Sequence, residues 1–399
     1  MAKQVQEAFI VAATRTPIGK APRGAFRHVR PDDLLVHAIR SALTQVPKLD
    51  PAVIEDAVVG CAMPEGEQGM NVARIAVLLA GLPDTVGGMT VNRFCASGLS
   101  AVAIAADRIR VGEADVVLAA GTESMSQVPM MGHTPSLNPE IFAGNEHVGI
   151  AYGMGITAEK VAERWKVSRD DQDAFALASH QKALRAQREG WFNDEITPIE
   201  VVERSADLAS GEVKTSQRKV GLDEGPRADT SLEALAKLKP AFAAKGSVTA
   251  GNSSQMSDGA GALLVVSERA LKQHGLTPLA RFVTFAVKGV PPEIMGIGPK
   301  EAIPVALAQA GIKADDLGWI ELNEAFAAQS LAVIRDVGLN PELVNPLGGA
   351  IALGHPLGAT GAIRSATVVH GLRRNKQKYG MVTMCVGTGM GAAGIFESM

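Results

Sequence analysis

Short apolar runs and stretches of helical spacing succeed one another along this chain. Runs at 8–13, 54–62 and 114–120 are brief and rich in valine and alanine, which predicts buried strands. Between them, 32–44, 71–80 and 97–110 place apolar residues at helical intervals, as Leu99, Val102, Ala103, Ala106 and Ile109 do in the last. Strand and helix alternate at the spacing of parallel crossover units. After Ser126 the pattern weakens. The stretch 129–155, rich in glycine, methionine and proline, predicts an irregular excursion, 170–188 a helix, 191–201 a strand, and 205–226, with Lys214, Arg218 and Lys219, a polar surface loop. An apolar strand returns at 258–266.

The order then repeats. Helix 300–310 and strand 317–323 answer helix 32–44 and strand 54–62, and Leu343-Val344-Asn345-Pro346 with its glycine-rich turn answers the strand-turn-helix around residue 95. Recurrence of several elements in one order favours an internal duplication. The predicted organisation is a first domain over 1–121, an inserted lid or binding domain over 122–250, a return segment over 251–277 and a second domain over 278–399.

Composition sharpens this picture. With 399 residues, 46% of them hydrophobic, the chain exceeds one ordinary domain, and 42 glycines beside 16 aromatic residues (11 Phe, 3 Trp, 2 Tyr) suit aliphatic α/β layers with close backbone approaches. A formal charge of −3 gives no global case for nucleic acid or membrane binding. Cys61, Cys95 and Cys385 form neither a paired disulfide framework nor a zinc spacing, which favours a reducing compartment. Residues 1–7 lack the apolar run of a secretory signal, and no apolar segment is long enough to span a bilayer; the expectation is a cytoplasmic protein.

Candidate chemistry lies at strand ends. Cys95, in Asn92-Arg93-Phe94-Cys95-Ala96-Ser97-Gly98, falls at a strand-to-helix junction, where unpaired N–H groups and the positive helix end favour a thiolate; the plain alternative is a buried structural thiol. In the second half, Asn323-Glu324-Ala325-Phe326, Gly354-His355-Pro356-Leu357-Gly358 and Cys385-Val386-Gly387-Thr388-Gly389 each end or follow a strand, the side of an α/β sheet where ligands collect. His355 can accept and return a proton near neutrality, Cys385 can carry a second, Asn323 can hold a water or cap a helix, and the N–H of Gly387 can meet an oxyanion. The glycines at 387, 389 and 391 do not make a phosphate loop, since no Lys-Ser/Thr pair follows.

These four motifs, in this order, resemble those of the thiolases, the acetyl-CoA acyltransferases or 3-ketoacyl-CoA thiolases of degradative type, and the resemblance covers residues 5–397. It implies an α/β thiolase fold, two five-stranded mixed sheets in α/β/α/β/α layers with an inserted loop domain, in a homodimer or, through that loop domain, a homotetramer. It implies Cys95 as acyl acceptor, His355 as its activator, Cys385 as general acid and base, and two oxyanion holes. One would use His355 and a water on Asn323, the other the N–H groups of Cys95 and Gly387. Arg227, Ser254, Phe242 and Phe326 are implied as coenzyme A contacts, and Met154 as part of the substrate pocket. Coenzyme A is substrate and product; no cofactor or metal is implied. A hydratase and dehydrogenase subunit of a β-oxidation complex is the implied protein partner.

Two departures bear on the substrate. Ala234 stands where some biosynthetic relatives carry a CoA-contacting serine, and Gly153 where many acetoacetyl-CoA thiolases carry a histidine. The expected reaction is thiolysis of 3-oxoacyl-CoA, including chains beyond C4. Acetoacetyl-CoA synthesis and 3-oxoadipyl-CoA cleavage use the same machinery. A decarboxylating ketoacyl synthase would need a second histidine where Asn323 stands, and a non-catalytic acyl-CoA-binding subunit would not need Cys95, His355 and Cys385 together.

Overall fold

The computed structural model describes residues 5–207 and 209–399; residues 1–4 of the N-terminal reading lie outside it. The first half is built from β1 (Ala8–Arg15), β2 (Gly19–Lys20), α1 (Pro31–Thr44), β3 (Asp56–Gly60), α2 (Val72–Leu79), β4 (Met89–Val91), α3 (Ser97–Arg110) and β5 (Val116–Ser124). An excursion follows with α4 (Met154–Arg164), α5 (Arg169–Arg188), β6 (Ile199–Ala206), β7 (Val213–Val220) and α6 (Leu232–Ala236). The chain returns through β8 (Ser257–Ser267) and α7 (Glu268–His274). The second half comprises β9 (Ala280–Gly289), α8 (Gly298–Ala310), β10 (Leu317–Leu322), α9 (Ala327–Val337), α10 (Ala350–Leu353), α11 (Leu357–Asn375), β11 (Tyr379–Val386) and β12 (Met390–Ser398).

The duplication is visible in the strand order. One half runs β1-β8-β5-β3-β4 and the other β9-β12-β11-β10, and the two join where β1 pairs with β9 through Phe9 and Ile10. In each half the first three strands are antiparallel to one another, and the next, β3 or β10, pairs in parallel. The fifth strand of the second half shrinks to a parallel bridge between Ile320 and Val344, the place that β4 holds against β3 in the first. The expected pair of five-stranded sheets is thus one continuous sheet of ten strands, counting β2 beside β8, with the fifth position of its second half reduced to that bridge.

Helices α3 and α11, which follow those two corresponding positions, pack against each other in the interior. Small residues permit it: a Cβ on Gly98 would sit 2.6 Å from the Ala362 nitrogen, and one on Gly361 2.0 Å from that of Leu99. This close approach is where the chain's glycine and alanine content goes.

The segment between β5 and β8 is 125–256, against the 122–250 expected, because β5 runs through Ser124. It docks on β1 through buried ion pairs: Arg15 contacts Glu195 at 2.6 Å and Asp223 at 2.8 Å, and Asp223 also accepts the N–H of Ile18 at 2.8 Å. Removing one member of such a set leaves an uncompensated charge, typically at a cost of about 3–5 kcal/mol. Two expectations fail here. The strand placed at 191–201 begins only at Ile199, because 191–195 form turns that bury Phe192. The loop placed at 205–226 contains β7, which pairs with β6 from Val220 back to Val213. Helix α4, which begins at Met154 where the irregular stretch ends, was not anticipated.

Candidate active site

Cys95 is presented by a strained elbow. After β4 the Asn92 side chain accepts the N–H of Phe94 at 2.8 Å, Phe94 adopts a left-handed φ of 42°, and residues 94–96 form a 3-10 turn into α3. Ser97 Oγ closes the turn, accepting from the Arg93 N–H at 2.9 Å and donating to the Phe94 carbonyl at 2.6 Å. The buried thiol lies near the N–H groups of Gly387 and of Cys95 itself, which favour its charged form. Burial nevertheless dominates, and with a smaller push from the Glu123 charge it raises the thiol to about 12. The helix end therefore does not make a resting thiolate, contrary to the sequence expectation: desolvation outweighs two N–H donors.

Asn323 and Cys385 come from adjacent parallel strands. Leu322 pairs with Thr383 in the β10–β11 ladder, and the Asn323 N–H donates to the Thr383 carbonyl at 2.9 Å. Cys385, fully buried near the end of β11, is held protonated chiefly by burial, and any charge on the neighbouring Cys95 would push it further up. The turn from β11 to β12 is 387–389, where Thr388 and Gly389 have φ of 66° and 91°, and it points the Gly387 N–H at Cys95. A Cβ on Gly389 would meet the Val290 carbonyl at 2.3 Å.

His355 stands between α10 and α11. Gly354 has φ of 109°, and a Cβ there would strike Ser257 Oγ, which instead accepts the His355 N–H at 3.1 Å. One ring nitrogen, Nε2, lies 3.3 Å from Asn323 Nδ2, and Nδ1 lies 2.7 Å from Thr360 Oγ1. Burial, then the Arg364 charge, lowers the imidazole to about 3, so it rests neutral. The Asn323 side chain does not cap α9, whose N-cap is Phe326, and its buried Oδ1 has no partner among the described residues. Such an oxygen needs a hydrogen-bond donor.

Glu123 ties these loops together. Its buried carboxylate accepts from the N–H groups of Ala62 at 2.7 Å, Met63 at 3.2 Å and Gly358 at 2.8 Å, and from the Gln68 amide. It thereby joins the loop after β3 to the start of α11. Sequence reasoning passed over Glu123 and Thr360. The signals available were an acid at a strand's carboxyl end and a hydroxyl in the first turn of the helix after His355.

Of the remaining expected residues, Arg227 lines a cavity of the excursion, while Ser254, Phe242, Phe326 and Met154 lie outside that cavity's lining. The cavity, of about 310 Å³, is lined by Lys20, His180, Arg227, Ala234, Ser253 and Gln255, among others. Arg227 pairs with Asp229 at 3.1 Å, and its N–H donates to His180 Nδ1 at 3.2 Å; burial, then the Arg227 and Lys20 charges, lowers His180 to about 4. Ser253 bridges to Phe326, and the N–H of Ser254 donates to the Ala325 carbonyl at 2.9 Å. The half-exposed Phe242 ring stands edge-on to Phe326 with centroids 6.0 Å apart. Phe326, Cys385, Ala325 and Met295 form one apolar cluster against which Met154 packs. Lys20 and His180 are further residues that the sequence reading missed.

Residues 8–269 match the family of thiolase N-terminal domains, and residues 276–398 that of thiolase C-terminal domains. The chain belongs to the thiolase family. This thiolase is 49% identical to the 3-ketoacyl-CoA thiolase of Bacillus subtilis over 98% of its own length and 100% of that protein's. It is 46% identical to the human peroxisomal 3-ketoacyl-CoA thiolase over 97% of itself and 90% of the relative. Among solved structures, human mitochondrial 3-ketoacyl-CoA thiolase superposes with a TM-score of 0.88 at 39% identity, covering 99% of each chain. The acetyl-CoA acetyltransferase of Bacillus anthracis superposes with a TM-score of 0.89 at 38% identity, covering 100% of each. The thiolase fold expected from the motifs is the fold of this chain.

Proposed function

We propose that this thiolase is an acetyl-CoA C-acyltransferase that cleaves 3-oxoacyl-CoA with coenzyme A, giving acetyl-CoA and an acyl-CoA two carbons shorter. The observation that carries the reading is the convergence of Cys95, Cys385 and the Gly387 N–H on one buried point, with His355 and Asn323 on the adjoining strand end and helix start. In the proposed sequence Cys95 Sγ attacks C3 as its proton passes to His355 Nε2. The C2–C3 bond breaks, its electron pair leaves as the acetyl-CoA enolate, and Cys385 protonates C2. Cys385 then takes the proton of incoming coenzyme A, whose sulfur displaces Cys95 from the acyl group, and the proton held on Nε2 returns to the departing Sγ. The N–H groups of Cys95 and Gly387 meet the oxyanion at C3. Nε2–H and a water on Asn323 meet the enolate oxygen, which is the use that the unpartnered Oδ1 supports.

The cavity beside Arg227 and Lys20 is the proposed nucleotide end of the coenzyme A path, and the gap between Phe242 and Phe326 its pantetheine end. Chains beyond C4 are the proposed acyl substrates: Gly153, next to Met154, is exposed, and a Cβ there would meet nothing within 4 Å among the described residues, so no side chain stands where the resemblance puts a histidine in acetoacetyl-CoA thiolases. Rates of thiolysis across C4 to C16 3-oxoacyl-CoAs test this. Turnover confined to C4 would return the chain to the acetoacetyl-CoA reading, and failure of any substrate to acylate Cys95 would end the enzymatic reading.

We infer a homodimer formed through β4. That strand ends the sheet, and Met70, Leu78, Leu79 and Met89 on and near it are exposed, a combination that invites pairing. A monomer in analytical ultracentrifugation at micromolar concentration would refute it, and a tetramer would extend it. Three unpaired, buried thiols support a reducing compartment.

A further inference from the structure

Helix α11 carries three hydroxyl side chains, and they do not behave alike. Ser365 Oγ donates to the Gly361 carbonyl at 2.7 Å, and Thr367 Oγ1 lies 3.3 Å from the Ile363 carbonyl and 3.0 Å from Glu195. Both bond back to the preceding turn, as helical hydroxyls commonly do. Thr360 instead meets His355 Nδ1 at 2.7 Å, reaching back past the helix start. Both partners are buried, so water does not compete for the contact. On the other side of the ring Nε2 faces Asn323, and the His355 main chain is fixed by Ser257. Neither contact to the ring comes from a carboxylate.

This inference rests on the reading of His355 as the proton acceptor for Cys95. A neutral imidazole carries one N–H, and only its bare nitrogen can take a proton. We propose that Thr360 is a positioning residue that fixes the His355 tautomer, its Oγ1 accepting the Nδ1–H so that Nε2 alone exchanges the proton of Cys95. The bond that breaks is Sγ–H and the bond that forms is Nε2–H. Nδ1–H stays on the ring throughout, donating to the same oxygen in the neutral and the protonated states. A hydroxyl serves differently from the carboxylate that commonly orients a catalytic histidine: it orients the ring without a compensating negative charge. The ring therefore rests uncharged and becomes imidazolium only when substrate is in place.

The test compares T360V, which keeps the shape and loses the oxygen, with T360S, which keeps the oxygen and loses the methyl, and with T360A. The expected result is a 10- to 100-fold lower kcat for acetoacetyl-CoA thiolysis in T360V and T360A, with the KM for coenzyme A changed less than three-fold. T360S should recover most of the loss. A folded T360V within three-fold of the parent kcat overturns the proposal, and so does a T360S as impaired as T360A. Where T360V does not fold, the T360S and T360A pair decides in the same way. A parent without thiolysis overturns the functional reading and this inference with it, whereas an active parent with an equally active T360V overturns this inference alone.

Discussion

Asn323→Ala is the substitution that separates catalysis from stability most cleanly. The side chain makes one polar contact, 3.3 Å from Nδ2 to His355 Nε2, and its Oδ1 is buried without a partner. Its removal takes away a weak hydrogen bond and an unsatisfied oxygen together. These changes oppose each other, so the stability change should stay within about 1 kcal/mol. The transition state loses the anchor of the water that meets the enolate oxygen. One well-placed oxyanion donor is worth roughly 3–4 kcal/mol, which at about 1.4 kcal/mol per decade corresponds to a kcat reduced on the order of 100- to 1,000-fold. Acetoacetyl-CoA thiolysis gives kcat, thermal unfolding gives stability, and intact-mass spectrometry of a single turnover reports acylation of Cys95. The expected signature is slow acylation in a protein with parental melting temperature. A kcat within three-fold of the parent would refute the water-holding role, and a loss matched by unfolding would show that Asn323 serves the fold.

Other consequences follow from single contacts. Glu321 is buried beside Arg364 and Trp319, and burial outweighs that pairing, raising its carboxyl from 4.5 to about 7. Folded Glu321 holds its proton more tightly than the unfolded chain, so the parent should lose stability as pH rises from about 4.5 to 7, where Glu321→Gln is spared; denaturant melts showing no relative gain for the variant would contradict this. Gly153→His, placed in open space, should lower thiolysis of C8 and longer substrates at least ten-fold while C4 turnover changes less than three-fold, and a uniform loss across chain lengths would count against the pocket assignment. In Gly155→Ala the new Cβ would lie 2.1 Å from the Phe242 ring, which is half exposed and free to swing away from Phe326. The KM for coenzyme A should rise about five-fold at a stability cost of about 1 kcal/mol or less; an unchanged KM would remove Phe242 from the path.

Much of the scaffold was legible because burial writes a periodic signature. Helix α1 at Pro31–Thr44 and α3 at Ser97–Arg110 lie within a residue of their predicted spans, since each shows the core a continuous apolar face. The duplication was readable for the same reason. By contrast β7, Val-Lys-Thr-Ser-Gln-Arg-Lys-Val, is exposed over all but its last residue, so its pairing with β6 leaves no alternation to read. Its backbone ladder alone makes it a strand. The site motifs were legible as strand ends, but two contacts were not read from them: Thr360 lies only five residues from His355 and depends on the local turn into α11, whereas Glu123 meets Gly358 from 235 residues away, through folding rather than spacing.

The electrostatic state of the site shows the same limit in a sharper form. Sequence supplies the helix end beside Cys95 but not the depth at which the thiol is buried, and the two act in opposite directions. Burial raises Cys95 to about 12 and lowers His355 to about 3, so both shifts favour the neutral pair over thiolate and imidazolium in the free enzyme. A preformed ion pair is thus not the resting state. On the proposed mechanism, charge separation becomes favourable when the substrate carbonyl occupies the N–H groups of Cys95 and Gly387, because negative charge then passes from sulfur to an oxygen. On this account the two N–H groups act on the oxyanion more than on the sulfur.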